Sequence, residues 1–291
     1  MRFISSSISN LRRRFAILAP HTLNQAPFRR LAVDSQRHFN LLGEVQQLRG
    51  KIAVEEGAVD ASELSADGRH IQSADYKSWH LLTVDEHGQL AACMRYLPHR
   101  IGAKFSDLLI SHSSLAHCRD RGGSLKAAVE DELAVARQRK CSYVEMGGWV
   151  IREPFRCTSE ALRMVLSAYG LAQLLGGALG ISTATTQRCS SSILKRIGGE
   201  RLVSGGKELA PYYDSQYRCE MEIIRFDSAR PHPRYQKWVE YCSRLLQDVP
   251  VVCPASNAEP DPSLQHLAAA LKDGSNLQGL GTSPLAEMAC E

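Results

Sequence analysis

The chain has 291 residues, 44% of them hydrophobic, which is sufficient for one large buried core. Its 35 basic and 31 acidic residues leave a formal net charge of +4, too small an excess for the concentrated basic surface of a nucleic-acid-binding protein. No apolar run is long enough to span a bilayer. The ten histidines and nine cysteines form no close pair at metal-ligand spacing, so we predict no metal site.

The two ends of the chain differ from its middle in composition. Residues 1–33 contain six arginines and no acidic residue, a bias typical of an organelle transit peptide, of a basic arm on an anionic membrane surface, or of a solvated charge run. From Pro254 onward the chain is rich in Pro, Ser, Asn, Gly and Ala. We therefore predict a basic, weakly ordered segment at 1–35, a folded domain at 36–250 and a mobile tail at 251–291. The expected location is the cytoplasm, with peripheral membrane contact through the basic start as an open alternative.

The first part of the predicted domain favours a helix followed by a hairpin. Apolar residues recur at three- and four-residue steps over 36–56, which favours a helix. Residues 79–84 and 90–96 have the composition of strands, and Asp-Glu-His-Gly at 85–88 is typical of a hairpin turn. Pro98 is expected to end the second strand, because proline cannot donate to a ladder.

Helices and strands then alternate to the end of the predicted domain. The predicted elements are a helix at 123–140, a strand at 142–151, a helix from Ser159 to about 175, a strand at 179–185, a helix at 190–197, a strand at 218–226 and a helix at 238–246. This order predicts a mixed α/β fold. It contains neither G-x-G-x-x-G after a first strand nor G-x-x-x-x-G-K-[ST], which argues against dinucleotide and NTP binding.

Three segments resemble one family. Residues 143–149 (YVEMGGW) place a glutamate in a strand with two glycines, and residues 190–199 form a short helix that ends in Lys-Arg-Ile-Gly-Gly. Residues 94–98 (MRYLP) join an arginine to a following proline. Together these segments resemble GNAT-type acyltransferases, nearest to the branch of acyl-homoserine-lactone synthases and N-acyl amino acid synthases. The resemblance spans roughly residues 40–230 and implies an α/β (α+β) fold with a mixed, mostly antiparallel central sheet, splayed middle strands and flanking helices.

The resemblance also implies a site for an acyl-thioester donor, either acyl-CoA or an acyl-carrier protein. In the family, the splayed strands offer unpaired backbone groups to the pantetheine arm, and a helix N-terminus receives the phosphate. The loop before that helix departs here from the family's glycine-rich pattern, which weakens the case for the CoA diphosphate and leaves room for the single phosphate of a carrier protein. The implied binding residues are Trp149, Arg152, Arg156, Ser159, Thr183, Thr185 and Ser191, with helix capping as the alternative role of Ser191.

A rival register places the glycine-rich loop at 119–124, which makes 142–151 the fifth strand of the family's fold. That register leaves residues 190–199 without their place in the family. We therefore favour the first register, in which 119–124 is an ordinary turn and helix cap.

The expected reaction is attack of an amine on a thioester, which needs a base for the amine and a donor for the oxyanion. Glu145 is the predicted base, directly or through water, because a carboxylate beside Trp149 and Tyr143 suits proton removal near neutral pH. The alternative is a structural carboxylate paired with an arginine. Arg95 is predicted to orient an acidic part of the acceptor, or else to be a surface charge. Tyr212, Tyr213 and Tyr217 lie in a predicted loop before the last strand. One of them, Tyr213 in our prediction, is expected to protonate the leaving thiolate, with aromatic packing in the loop as the alternative.

We therefore predict an N-acyltransferase that moves an acyl group from acyl-CoA or an acyl-carrier protein to the amine of a small acceptor such as an amino acid. No permanently bound cofactor and no nucleic-acid partner is expected. Two alternatives stay open. One is a non-catalytic GNAT-shaped binding or regulatory module, favoured by the missing glycine-rich loop, and the other is a membrane-peripheral lipid-handling protein, favoured by the arginine-rich start.

Overall fold

The computed structural model of the chain describes residues 15–21, 27–187, 189–215 and 217–255. Its strands are β1 (Phe15–Leu18), β2 (Leu31–Val33), β3 (Trp79–Val84), β4 (Leu90–His99), β5 (Ser142–Ile151), β6 (Ala178–Thr185), β7 (Glu200–Arg201), β8 (Val203–Ser204), β9 (Lys207–Glu208), β10 (Tyr212–Asp214), β11 (Cys219–Asp227) and β12 (Val251–Cys253). Its α-helices are α1 (Ser35–Glu55), α2 (Ser114–His117), α3 (Gly122–Arg139), α4 (Glu160–Leu174), α5 (Ser190–Ile197) and α6 (Pro233–Leu246). Two short 3-10 helices, Ser73–Lys77 and Leu109–His112, contribute to the candidate site.

The main sheet has the strand order β10-β11-β6-β5-β4-β3-β1-β12-β2, with β7 also paired to β11. Within the described strands, neighbours are antiparallel except for β5–β6 in the centre and β1–β12 and β12–β2 at one edge. The predicted mixed, mostly antiparallel sheet is therefore confirmed. Because β5 lies antiparallel to β4 and parallel to β6, residues 142–151 form the first strand of the central parallel pair.

Helices cover both faces of the sheet. On one face α4 and α6 pack against a large core that includes Met94 of β4 and Val144 of β5. On the other face α3 packs on β5, β6 and β11, and α1 packs on β3 and β4. Arg49 belongs to α1 on this second face. Among the helices in the described ranges, none is long and apolar enough to cross a membrane.

The sheet extends past both predicted limits of the domain, 36 and 250. β1 lies between β3 and β12, and β12 lies between β1 and β2. Val251 and Val252 are 0% and 1% exposed, so β12 belongs to the core. Strands of three or four residues are too short to show an alternating pattern, which is why the sequence did not reveal them.

Three further details differ from the predictions. β4 runs through Pro98 to His99, because β3 begins opposite Tyr96 and the proline is paired on the β5 side only. α6 begins at Pro233, five residues before the predicted start, with proline at the first helical position and the His232 ring as its cap. The predicted loop around Tyr213 contains the edge strand β10.

Candidate active site

β5 and β6 begin as paired parallel strands and then separate. Their register covers five residue pairs and ends with Met146 opposite Ser182. Beyond this point β5 stays on β4 as far as Ile151, and β6 stays on β11 as far as Thr185. Within the described residues, the two facing edges therefore carry backbone N–H and C=O groups that no strand pairs.

A bulge in β5 accounts for the separation. Between Val150 and Gly147, which both pair with β4, β5 has two residues, Gly148 and Trp149, where β4 has only Met94. An extra residue bends the bulged strand and increases its twist, so β5 turns away from β6. Gly148 has a φ of +55°, a conformation that glycine adopts without steric cost. The Trp149 ring packs against the α4–α6 core, and its Nε1 is buried without a hydrogen-bond partner in the described part of the chain.

A buried cluster of two arginines and one aspartate lies beside this bulge. Arg49 of α1 donates to both carboxylate oxygens of Asp75, at 2.9 and 2.6 Å, and Arg95 of β4 donates to Oδ1 at 3.2 Å. Gln46 donates to Oδ2 at 3.1 Å, and Gln72 accepts from Arg95 Nη1. The side chains of Arg49, Arg95 and Asp75 are 6%, 8% and 0% exposed. Two guanidiniums against one carboxylate leave this cluster with one net positive charge.

The charges of the cluster are fixed by its geometry. Burial alone would raise the pKa of Asp75, but the hydrogen bonds and charge of Arg49, with the charge of Arg95, hold it well below its usual range. Burial also lowers the pKa of His80 to about 4, so this ring is neutral near pH 7. The carboxylate therefore stays ionised, and the cluster keeps its positive charge throughout the neutral range.

Two glycines allow the arginines to approach the bulge. A Cβ placed on Gly148 would be 3.4 Å from Arg49 Nη1, and one placed on Gly147 would be 3.7 Å from Arg95 Nη2. Larger side chains at these positions would extend into the space of the guanidiniums. The bulge and the positive cluster therefore form one structural unit at the point where β5 leaves β6.

Glu145 precedes the bulge, and its carboxylate is already hydrogen-bonded. Oε2 accepts from the backbone N–H of Leu109 at 2.7 Å and lies 2.8 Å from His99 Nε2, and Oε1 accepts from the N–H of Ile110 at 2.8 Å. The side chain is 9% exposed. A carboxylate has about four acceptor positions, so Oε1 retains one. The predicted alternative, a structural pair with an arginine, is not what the described residues form, because Arg95 pairs with Asp75 and Glu145 with His99.

Of the tyrosines near the last strand, Tyr217 interacts electrostatically with Arg95 and Arg49. Tyr213 lies on edge strand β10 opposite Glu220 and is 50% exposed. β10 is three strands away from β5, about 14 Å at the usual strand spacing. Burial and the charge of Asp214 raise the pKa of Tyr217 above its usual value, and the charges of Arg95 and Arg49 partly oppose this rise.

The two arginines predicted to meet a phosphate have carboxylate partners. Arg152 donates to Asp85 and Gln89 in and beside the β3–β4 turn. Arg156 donates to the carbonyl of Ile151 at 3.1 Å, and to Glu56, after α1, at 3.4 Å.

The helix that follows these arginines, α4, begins with an acidic residue. Ser159 is its N-cap residue without a side-chain hydrogen bond, and the Thr158 hydroxyl accepts from the N–H of Glu160 at 3.2 Å. The Glu160 carboxylate is buried and lies 3.2 Å from Arg163. Acidic side chains stabilise a helix N-terminus, so this start is electrostatically satisfied without a bound anion.

The three hydroxyl residues predicted to bind the donor lie in two different places. Thr183 is exposed on β6 just beyond the last β5–β6 pair, and Thr185 lies 3.2 Å from Ser190 through their hydroxyls. Ser191 instead donates to the buried carboxylate of Glu222, on which Lys195 and Arg201 also converge. Burial alone would raise the pKa of Glu222, but its hydrogen bonds with Lys195, Ser191 and Arg201 lower it to about 2.

The site residues that the sequence did not indicate are Arg49, Asp75 and His99. Arg49 follows Val45 by four positions and Leu42 by seven, so it is a charged residue on the buried stripe of α1, and this was the available signal. Asp75 lies in a polar segment without periodicity. His99 follows the proline that was expected to end its strand.

Comparisons with known proteins find similarity in structure only. No protein-family model matches the sequence, and no curated protein is significantly similar to it. The solved structure of a CoA-dependent acyl-homoserine lactone synthase, BjaI, with MTA is 12% identical, with a TM-score of 0.48 over 88% of this chain and 99% of that one. Arylalkylamine N-acetyltransferase 2 from Aedes aegypti is 13% identical, with a TM-score of 0.44 over 68% of this chain and 97% of that one. The acyl-homoserine lactone synthase LasI is 16% identical, with a TM-score of 0.43 over 65% of this chain and 84% of that one.

The sheet is antiparallel on both sides of a central parallel pair, the pair separates at a bulge, and helices cover both faces. This is the mixed, mostly antiparallel sheet with separating middle strands and flanking helices that the sequence predicted.

Proposed function

We propose that this chain is an N-acyltransferase, which moves an acyl group from a thioester donor, acyl-CoA or an acyl-carrier protein, to the amine of a small acceptor such as an amino acid. The observation that carries the proposal is the separation of β5 from β6 beside a buried positive cluster. Unpaired strand edges and a fixed positive charge are what an amide-containing donor arm and a carboxylate-bearing acceptor need.

The donor arm is proposed to lie between the two separated edges. Residues 147–151 of β5 and 183–185 of β6 offer N–H and C=O groups to the amides of a pantetheine arm, as an added strand would. Thr183 and Thr185 lie on this edge of β6, and Trp149 lies in the bulge on the β5 side. A backbone N–H of β5 at the bulge is then the proposed donor to the thioester oxygen as it becomes an oxyanion.

The acceptor is proposed to bind through a carboxylate at the arginines. Arg95 donates through Nη1 to Gln72 and Asp75, and its Nη2 lies next to Gly147. A carboxylate at Nη2 would balance the net positive charge of the cluster. This contact would place an α-amine close to the point where the strands separate.

The chemical step forms a C–N bond and breaks the C–S bond of the thioester. The amine proton passes to Glu145, through water at the remaining position on Oε1, and then to the departing thiolate, so the step is balanced in protons. His99 and the N–H groups of Leu109 and Ile110 hold the carboxylate in place for this role. The proton reaches the thiolate through a tyrosine hydroxyl, which gives up its own proton and regains one from Glu145. Tyr213 is the predicted tyrosine, and Tyr217, which interacts electrostatically with Arg95 and Arg49, is the alternative.

The arginines proposed to bind the phosphate of the donor are already paired with carboxylates. Arg152, Arg156 and Ser159 remain the proposed contacts, but phosphate would have to replace Asp85 and Glu56 as partners of the arginines. These ion pairs, with the three hydrogen bonds that Glu145 already makes, favour the second candidate, a non-catalytic binding or regulatory module. Ser191 is proposed to act through Glu222 and the start of α5 rather than on the donor directly.

The test is acyl transfer by the purified protein. Acyl-CoA and acyl-carrier-protein donors of several chain lengths are incubated with a mixture of amino acids, and N-acyl products are identified by mass spectrometry. We expect products with wild type, and a kcat/KM about 10- to 100-fold lower for Arg95→Gln, as the loss of a charged hydrogen bond implies. With amino acid amides as acceptors, Arg95→Gln should behave like wild type.

Two controls make the outcome specific. Arg137→Gln removes an exposed arginine on α3 and should leave transfer unchanged. Glu145→Gln should abolish product while donor binding remains, because its amide cannot accept the proton. If the wild-type protein binds donor but forms no product, the binding-module hypothesis replaces the N-acyltransferase hypothesis. If it binds neither donor, both hypotheses are wrong.

A further inference from the structure

The outer edge of the sheet at β2 is exposed and apolar. β2 is the last strand in the order of the sheet, and all three of its residues are exposed. Leu31 and Val33 are 46% and 71% exposed. An edge strand with apolar side chains is a template for pairing with another chain, and natural proteins usually protect such edges with charge, proline or a covering element.

The hydrogen bonds to β12 determine which backbone groups point outward. Arg30 accepts from the N–H of Val251, and Asp34 donates its N–H to Cys253. Because backbone groups alternate in direction along a strand, Arg30, Ala32 and Asp34 face β12. The N–H and C=O groups of Leu31 and Val33 therefore face outward.

We infer that β2 pairs with β2 of a second copy of this chain, antiparallel about a two-fold axis at Ala32. Leu31 of each copy then lies opposite Val33 of the other, and these two pairs exchange four hydrogen bonds through the outward groups. Arg30 of each copy lies opposite Asp34 of the other, in the closely spaced type of pair. The segment Arg-Leu-Ala-Val-Asp is thus self-complementary in charge, side-chain type and hydrogen-bond direction.

The charges that flank β2 favour a second copy of this chain as the partner, and they favour the pairing centred on Ala32. The Arg30 side chain has no salt bridge within the described residues, whereas Arg29 is paired with Asp248. Asp34 caps α1 through Oδ1, at 2.9 Å from the N–H of Arg37, which leaves Oδ2 for an arginine. A pairing centred on Leu31 or on Val33 would not bring Arg30 and Asp34 together. Opposite charges across strands stabilise a pair and like charges destabilise it.

Sedimentation velocity of the full chain over a range of concentrations tests the inference. Wild type should shift from monomer toward dimer as concentration rises. Arg30→Asp and Asp34→Lys each place like charges opposite each other, so each alone should raise the dimer dissociation constant about tenfold or more. An equimolar mixture of the two variants restores both opposite-charge pairs and should dimerise like wild type. Arg37→Asp, a matched charge change on the exposed side of α1, should leave dimerisation unchanged.

A cross-link tests the register. Ala32→Cys places two cysteines about 4.5 Å apart between Cα atoms, within disulfide range, and mild oxidation should give a 32–32 linked peptide by mass spectrometry. Val33→Cys, one position from the axis, should link far less. The inference is overturned by a wild-type chain that stays monomeric at every concentration, by a variant mixture that dimerises no better than its components, or by equal linking at 32 and 33.

Discussion

Asp75 is the residue on which the positive cluster depends. It is the carboxylate that both Arg49 and Arg95 contact, and it is fully buried. Asp75→Asn leaves two buried guanidiniums without a counter-charge, so we expect the free energy of unfolding to fall by about 3–5 kcal/mol. Urea unfolding measures this. Asp67→Asn, at an exposed carboxylate paired with Arg69, is the control and should change stability little, and equal effects of the two would contradict the role of Asp75.

Glu222 is a second single residue with a predicted effect, because it makes the free energy of unfolding depend on pH. Its pKa is about 2 in the folded chain and near 4.3 when unfolded, so the unfolded chain binds the proton more tightly. The stabilisation is present above about pH 4.3 and is lost as the pH falls toward 2. We expect the urea midpoint of wild type to fall across this window and that of Glu222→Gln to fall less. Parallel curves would show that Lys195 and Arg201 do not hold the ionised carboxylate as the structure indicates.

At the scale of elements, the bulge in β5 separates the central strands and positions the arginines. Gly148→Val should strain a φ of +55° and also displace Arg49, whose Nη1 lies 3.4 Å from the added Cβ. Gly205→Val has the same φ but open space around it, so it carries the backbone cost alone, about 1–3 kcal/mol. We expect Gly148→Val to lose more stability than Gly205→Val and to abolish acyl transfer. If the two variants lose the same stability and Gly148→Val still transfers acyl groups, the bulge does not position the site residues.

At the scale of the whole molecule, β12 joins two parts of the chain that are distant in sequence. It pairs with β1 on one side and β2 on the other, and Val252 is 1% exposed. Val252→Ala should therefore reduce the free energy of unfolding by about 2 kcal/mol, through lost burial and a cavity. Val33→Ala, on the exposed edge, should change it little, and thermal or urea unfolding compares the two. A negligible effect of Val252→Ala would argue that residues 251–253 lie outside the cooperative fold.

The long elements could be predicted because their signals are local. The first hairpin strand β3, with α3, α4, β6 and β11, appears within about one residue of the expected limits, since burying one face imposes a period on the sequence itself. The short strands β1, β2 and β12 could not be predicted in this way. Three or four residues carry no period, and the pairing of β12 with β1 and β2 joins positions more than 200 residues apart.

The sequence by itself determined the order of the elements, the mixed sheet and the glutamate-and-glycine strand at its centre. The tertiary structure alone decided which charges meet. Asp75 pairs with Arg49 from 26 residues away, Glu145 accepts from amides 35 and 36 residues away, and Arg152 and Arg156 are paired with carboxylates. Such pairings leave no pattern in the sequence, because a charged side chain obeys no period and its partner is set by the packing of separate elements against the same face of the sheet.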